Sequence, residues 1–198
     1  MTKTLLIMRH AKSSWKNEKL KDIDRPLKHR GEEAANLIGK VLVKTELVPQ
    51  VVLSSPAQRA KQTAELVVEE SKFKGELKFV DSFYMGEPEN YIKALKELPD
   101  EIERVMVVGH NPGLEALLQL LDGKVDSLPT GSLAYLVLDL KHWADLTKAT
   151  VAELISFWDP DEINLEEMEV KMGKDKDKKD KKDKKDKKDK KDKKKDKK

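Results

Sequence analysis

Residues 4–10 read TLLIMRH, four consecutive apolar side chains from Leu5 to Met8 followed by two basic ones. An unbroken apolar run of this length is the pattern of a strand buried on both faces, as in sheets covered by helices on either side. Similar runs recur at 51–53 (VVL) and 105–108 (VMVV), with a weaker one at 77–80. Between them lie segments with helical spacing. Residues 31–46 carry Ala34, Leu37, Ile38, Val41 and Leu42 on one face, and 56–70, 89–98 and 112–121 read likewise. This alternation predicts a three-layer α/β/α fold with a mostly parallel sheet. Two later strand-like stretches, 133–140 and 150–158, are joined closely enough for a hairpin, which predicts a late antiparallel strand. Asp159-Pro160 ends the pattern.

A chain of 198 residues is long enough for one domain with a full core and too short for two of ordinary size. Its charged content of 39% is concentrated at the end. Residues 174–198 consist of 17 Lys and 8 Asp, a net charge of +9; because the whole chain carries +3, the remainder carries −6. With nothing apolar to bury, that stretch cannot offset its ordering entropy. The expected organisation is one domain over 1–165, then a linker and disordered Lys/Asp tail over 166–198. Such a tail favours solubility and offers a weak, salt-sensitive tether to an acidic partner. The absence of Cys excludes disulfides and thiolate chemistry and favours a cytoplasmic location. The apolar run at 5–8 is too short for a signal-peptide core, and no stretch approaches the length of a membrane helix, so no membrane association is expected.

Three strand ends run into polar residues of one chemical kind: Arg9-His10-Ala11-Lys12, Ser54-Ser55-Pro56-Ala57-Gln58-Arg59 and Gly109-His110-Asn111-Pro112-Gly113. Ligands of open α/β sheets bind beyond the carboxyl ends of the strands, so the three can converge on one site. Ser55, Pro56 and Gln58 read as a helix cap, first helical position and capping box, which places Arg59 in the first turns. Asn111-Pro112 repeats the arrangement before another helix. Helix N-termini, two Arg and two His suit a phosphate dianion. Asn111 either adds a phosphate contact or merely caps its helix. His29 and His142 lack such a context and read as surface residues. No His-x-x-x-His or Glu-x-x-His spacing occurs, so neither a metal nor another cofactor is expected.

Taken together, Arg9-His10, Ser54-Ser55-Pro56 with Arg59 and Gln62-Thr63-Ala64, and Gly109-His110-Asn111 resemble the histidine phosphatase superfamily, whose fold is called phosphoglycerate-mutase-like. The run Arg9 to Trp15, with Asp24-Arg25-Pro26-Leu27 and Arg30-Gly31, resembles the SixA-type phosphohistidine phosphatases within it. The resemblance spans about residues 3–160 and does not include the tail. It implies that His10 is the nucleophile, forming a covalent phosphohistidine that water hydrolyses, while Arg9, Arg59 and a protonated His110 stabilise the phosphoryl oxygens without a metal. Larger members place a general-acid Glu after the third strand; here that region reads DSFYMGE, residues 81–87, and Asp24, Asp22 and Asp81 are the candidates. Cleaving a P–N bond expels an imidazole, which needs an acid less than an alkoxide does. The implied substrate is therefore a phosphorylated histidine on a protein. The alternatives are a small phosphomonoester or sugar phosphate, or phosphate binding without turnover.

Deleting residues 174–198 should leave melting temperature and turnover of a small substrate unchanged. A clear loss of either would place the domain boundary beyond residue 174.

Overall fold

In the computed structural model the described residues are 2–123 and 127–166; the linker and Lys/Asp tail expected beyond residue 166 lie outside them. The strands are β1 (Lys3–Arg9), β2 (Val51–Ser54), β3 (Glu76–Phe79), β4 (Arg104–Gly109), β5 (Leu133–Leu138) and β6 (Ala152–Trp158). The helices are α1 (His29–Lys44), α2 (Gln58–Glu70), α3 (Pro88–Lys96) and α4 (Gly113–Leu121). Short 3-10 turns occupy Asp22–Asp24, Asp81–Phe83 and Trp143–Asp145. Among these helices none is long and apolar enough to cross a membrane.

The six strands form one sheet in the order β3-β2-β4-β1-β5-β6. β1, β2, β3 and β4 are mutually parallel, and β5 runs antiparallel to both β1 and β6. The alternation of strands and helices thus yields the expected α/β/α architecture with its late antiparallel strand. The connection from β5 to β6 is longer than a tight hairpin and is anchored by buried Trp143, whose indole N–H donates to the Ile102 carbonyl at 2.7 Å.

The unbroken apolar run of β1 follows from burial on two sides. Leu5 and Ile7 join Leu53, Val105 and Val107 in a core against α3 and α4 through Tyr91, Leu95, Leu114 and Leu118. Leu6 and Met8 join Val52, Met106 and Val108 in a second core against α1 and α2 through Ile38, Leu42, Ala60 and Val67. Successive side chains of a strand point to opposite faces, so a central strand covered twice needs apolar residues at every position. The edge strand β3 has no such requirement and carries Glu76 and Lys78.

Helix α1 approaches the turn after β1 so closely that only Gly fits at residue 31, where a Cβ would overlap the Lys12 carbonyl oxygen. Gly31→Ala should cost about 1–3 kcal/mol by forcing backbone shifts. Urea unfolding checks this, and an unchanged midpoint would show that the turn moves freely.

Candidate active site

β1, β2 and β4 end on the same edge of the sheet, with Arg9 in register with Gly109 and Ser54 with Val108. The ladder continues one residue further. The His10 N–H donates to the Gly109 carbonyl at 3.0 Å and the Ser55 N–H to the Val108 carbonyl at 2.9 Å. His10, Ser55 and His110 therefore leave the sheet side by side. The His10 and His110 rings lie 5.1 Å apart between centroids, and Arg59, the second residue of α2, reaches them from the side. Both rings and Arg59 are buried.

His10 is held in one tautomer. Its Nδ1 lies 2.8 Å from the Ala11 carbonyl, which can only accept, so Nδ1 carries the proton and Nε2 presents its lone pair. Arg59 Nε donates to that Nε2 at 3.2 Å. Thr63 fixes the relation between α2 and the turn: its hydroxyl donates to the Arg59 carbonyl at 2.6 Å and accepts the Ala11 N–H at 3.0 Å. Burial pushes the His10 pKa down to about 3; the bond to Ala11 opposes the shift, and His110, Arg59 and Arg9 add to it.

His110 Nε2 sits 2.7 Å from Ser55 Oγ, and its Nδ1 has no hydrogen-bond partner among the described residues. Burial, with Arg59 and Arg9 as neighbouring charges, lowers its pKa to about 4 against the opposing effect of Asp22. At neutral pH both rings are thus uncharged as the site stands. Protonation of His110 requires an added negative charge such as a bound phosphoryl group.

Two expected helix caps do not form. Ser55 still belongs to the β2 ladder through its N–H, and α2 begins only at Gln58, with Ala57 at the cap position and no side-chain cap. The Ser55 hydroxyl instead accepts the Ala57 N–H at 3.3 Å and meets His110. Likewise α4 begins at Gly113 with Pro112 before it. The Asn111 amide donates to the Leu128 carbonyl at 2.9 Å, the same carbonyl that receives Arg9 Nη1 at 2.9 Å. Asn111 thus shares with Arg9 an anchor on the loop before β5.

Of the candidate acids, Asp24 and Asp81 are exposed at the ends of 3-10 turns and make no hydrogen bond or ion pair with the histidines or arginines described above. Asp22 does reach the site. Its backbone carbonyl accepts Arg59 Nη1 at 2.7 Å, and its Oδ2 accepts both Arg59 Nη2 and the Tyr84 hydroxyl at 3.0 Å. Arg25 Nη1 binds the other oxygen at 2.7 Å. Burial alone would raise this carboxyl, but Arg25, Tyr84 and Arg59 outweigh it and hold the pKa at about 2. Arg25 also donates to Ser13 Oγ and the Ser14 carbonyl and stacks under the exposed Trp15 ring at 3.2 Å, so the run Ser13-Ser14-Trp15 and Arg25 form one structural unit. Tyr84 stands edge-on to His110, with ring centroids 5.9 Å apart. Neither Tyr84 nor the contact of Ser55 with His110 has a signal in the sequence beyond the place of Tyr84 in the segment 81–87, the region in which larger members carry a general-acid Glu. His29 and His142 lie elsewhere, paired with Glu33 and Asp100.

The model of the histidine phosphatase superfamily (branch 1) matches residues 5–81, from β1 through α2 and β3. The chain belongs to the histidine phosphatase superfamily. Within what is similar to it, an uncharacterised protein of Mycobacterium leprae is 30% identical over 166 residues, covering 77% of this chain and 99% of that one. A structure from Nakamurella multipartitia, provisionally named phosphohistidine phosphatase SixA, superposes with a TM-score of 0.71 at 27% identity, covering 81% of this chain and 97% of that one. A second of the same provisional name, from Agrobacterium tumefaciens, gives 0.68 at 28% identity over 80% and 98%. The family match ends before His110, which the sheet brings to His10 through the pairing of β1 with β4.

The depressed histidine pKa values carry a pH signature. The unfolded chain takes up protons on these rings near pH 6.5, whereas the folded one does so only near 3 and 4, so their contribution is complete above pH 6.5 and is lost as pH falls toward 3. Nitrogen NMR of the full chain at pH 5 should show His10 neutral with the proton on Nδ1. A His10 ring that titrates near 6.5 would contradict the geometry.

Proposed function

We propose that this histidine phosphatase removes the phosphoryl group from phosphohistidine on a protein, with His10 as nucleophile. The observation that carries the reading is the bond from His10 Nδ1 to the Ala11 carbonyl, which leaves a neutral Nε2 lone pair directed at the guanidinium of Arg59. In-line attack by Nε2 forms a new N–P bond on His10 as the P–N bond of the substrate breaks, and water then attacks phosphorus to release phosphate and regenerate His10. Arg59 already stands at Nε2, so its Nε exchanges the ring nitrogen for a phosphoryl oxygen without relocation. Arg9 and His110, with Ser55 beside it, supply the remaining positive and hydrogen-bonding groups. Asn111 acts through Arg9 and the Leu128 carbonyl as a positioning residue.

The choice of phosphohistidine over an ester draws on the names carried by the two structural relatives and on the position of Asp24 and Asp81 away from the site. The same reading gives the Lys/Asp tail the role of a tether to an acidic partner, on its net charge of +9, and puts the protein in the cytoplasm, which a Cys-free chain favours.

His10→Ala should reduce turnover by about 10³-fold or more while weakening phosphate binding only modestly. Rapid quenching with labelled substrate should trap an alkali-stable, acid-labile phosphoryl group that maps to His10. Near-normal turnover of the variant, or label on His110, would overturn the assignment.

A further inference from the structure

His10, His110 and Arg59 lie on the floor of the site, each less than 10% exposed, whereas the Asp22 side chain is 41% exposed and half-buried Tyr84 stands beside it. In-line displacement puts the leaving group on the side of phosphorus away from His10, which is the side toward solvent. The groups on that side which also touch the phosphate-binding arginine are the Asp22 carboxylate and, through it, the Tyr84 hydroxyl. Three donors, from Arg25, Arg59 and Tyr84, converge on Asp22 and keep it ionised, so it accepts hydrogen bonds and has no proton to give.

A fixed carboxylate at that position discriminates between leaving groups. A phosphohistidine protonated on its free ring nitrogen carries an N–H donor and positive charge; when its P–N bond breaks, the electron pair stays on the released nitrogen and a neutral imidazole departs. No proton has to be delivered. An alkyl or aryl ester has no such donor, and its oxyanion departs beside a negative charge. We propose that Asp22, held by Arg25 and Tyr84, is the specificity-determining residue of this site, accepting the free N–H of the leaving imidazole and disfavouring phosphate esters. This deepens the phosphohistidine phosphatase reading and rests on it.

The test compares kcat/KM of the full chain on N-phosphorylated imidazole and on 4-nitrophenyl phosphate between pH 5 and 9, for wild type, Asp22→Asn and Tyr84→Phe. Asp22→Asn should lose at least about tenfold more on the phosphoimidazole than on the ester, the worth of one hydrogen bond to a charged group. The excess loss should be greatest at low pH, where the substrate ring is protonated, and should fade as pH rises through its titration. Tyr84→Phe leaves the carboxylate in place and should move the same ratio in the same direction by a smaller factor, which keeps the pair testable if the Asn variant folds poorly. Equal losses on both substrates at every pH would overturn the proposal, since Asp22 would then act only by holding Arg59. Absence of wild-type turnover on phosphoimidazole is a separate failure that removes the phosphohistidine reading itself.

Discussion

Two backbone hydrogen bonds beyond the ends of the strands, from His10 to Gly109 and from Ser55 to Val108, set the geometry on which the site depends. They extend a rigid parallel ladder into the first polar residue of each loop, so side chains far apart in sequence share one row. A site built on loops alone would leave these positions to side-chain entropy; one continued from a sheet inherits the precision of the core beneath it. That core requires apolar residues on both faces of β1 and β4, and for this reason the polar residues of the candidate site begin where the apolar runs stop.

The second constraint is electrostatic. Two arginines and two histidines at the end of one sheet would repel one another if all were charged. The structure relieves this in two ways: burial keeps both rings neutral, and Asp22 with backbone carbonyls at Asp22 and Leu128 engages the guanidiniums. A neutral His10 with its proton fixed on Nδ1 is also the form required of a nitrogen nucleophile. The interactions that make the charge cluster tolerable thus also set its reactivity. The close packing of Gly31 on the Lys12 carbonyl and the bridging by Thr63 to the Ala11 N–H hold the same turn.

Much of this was legible in the residues. Unbroken apolar runs located β1, β2 and β4, because a doubly covered strand leaves that signature; the edge strands β3 and β6 left only the weaker run at 77–80 and the mixed stretch at 150–158, and helix spacing located four helices to within about two residues. Arg9, His10, Arg59 and His110 could be gathered on the rule that ligands bind beyond strand ends. The caps are not legible there: Ser-Pro-Ala-Gln and Asn-Pro carry real capping chemistry, but each helix starts later than the capping pattern places it, and the Ser55 N–H stays committed to the sheet. Local preference lost to strand pairing there.

What the sequence determined by itself was the class of fold and the kind of ligand, since periodicity is a property of short stretches of chain and Arg9-His10, Arg59 and His110 are residue types suited to a phosphate. What the tertiary structure decided was the state and company of those residues: the tautomer of His10, the neutral His110 against Ser55, and the selection of Asp22 over Asp24 and Asp81 as the carboxylate at the site. Asp22 and Asp24 are two residues apart and chemically alike. Which of them faces Arg59 depends on how a 3-10 turn packs against α2, and that is settled by contacts between segments 37 positions apart in the chain, not by any preference of the residues themselves.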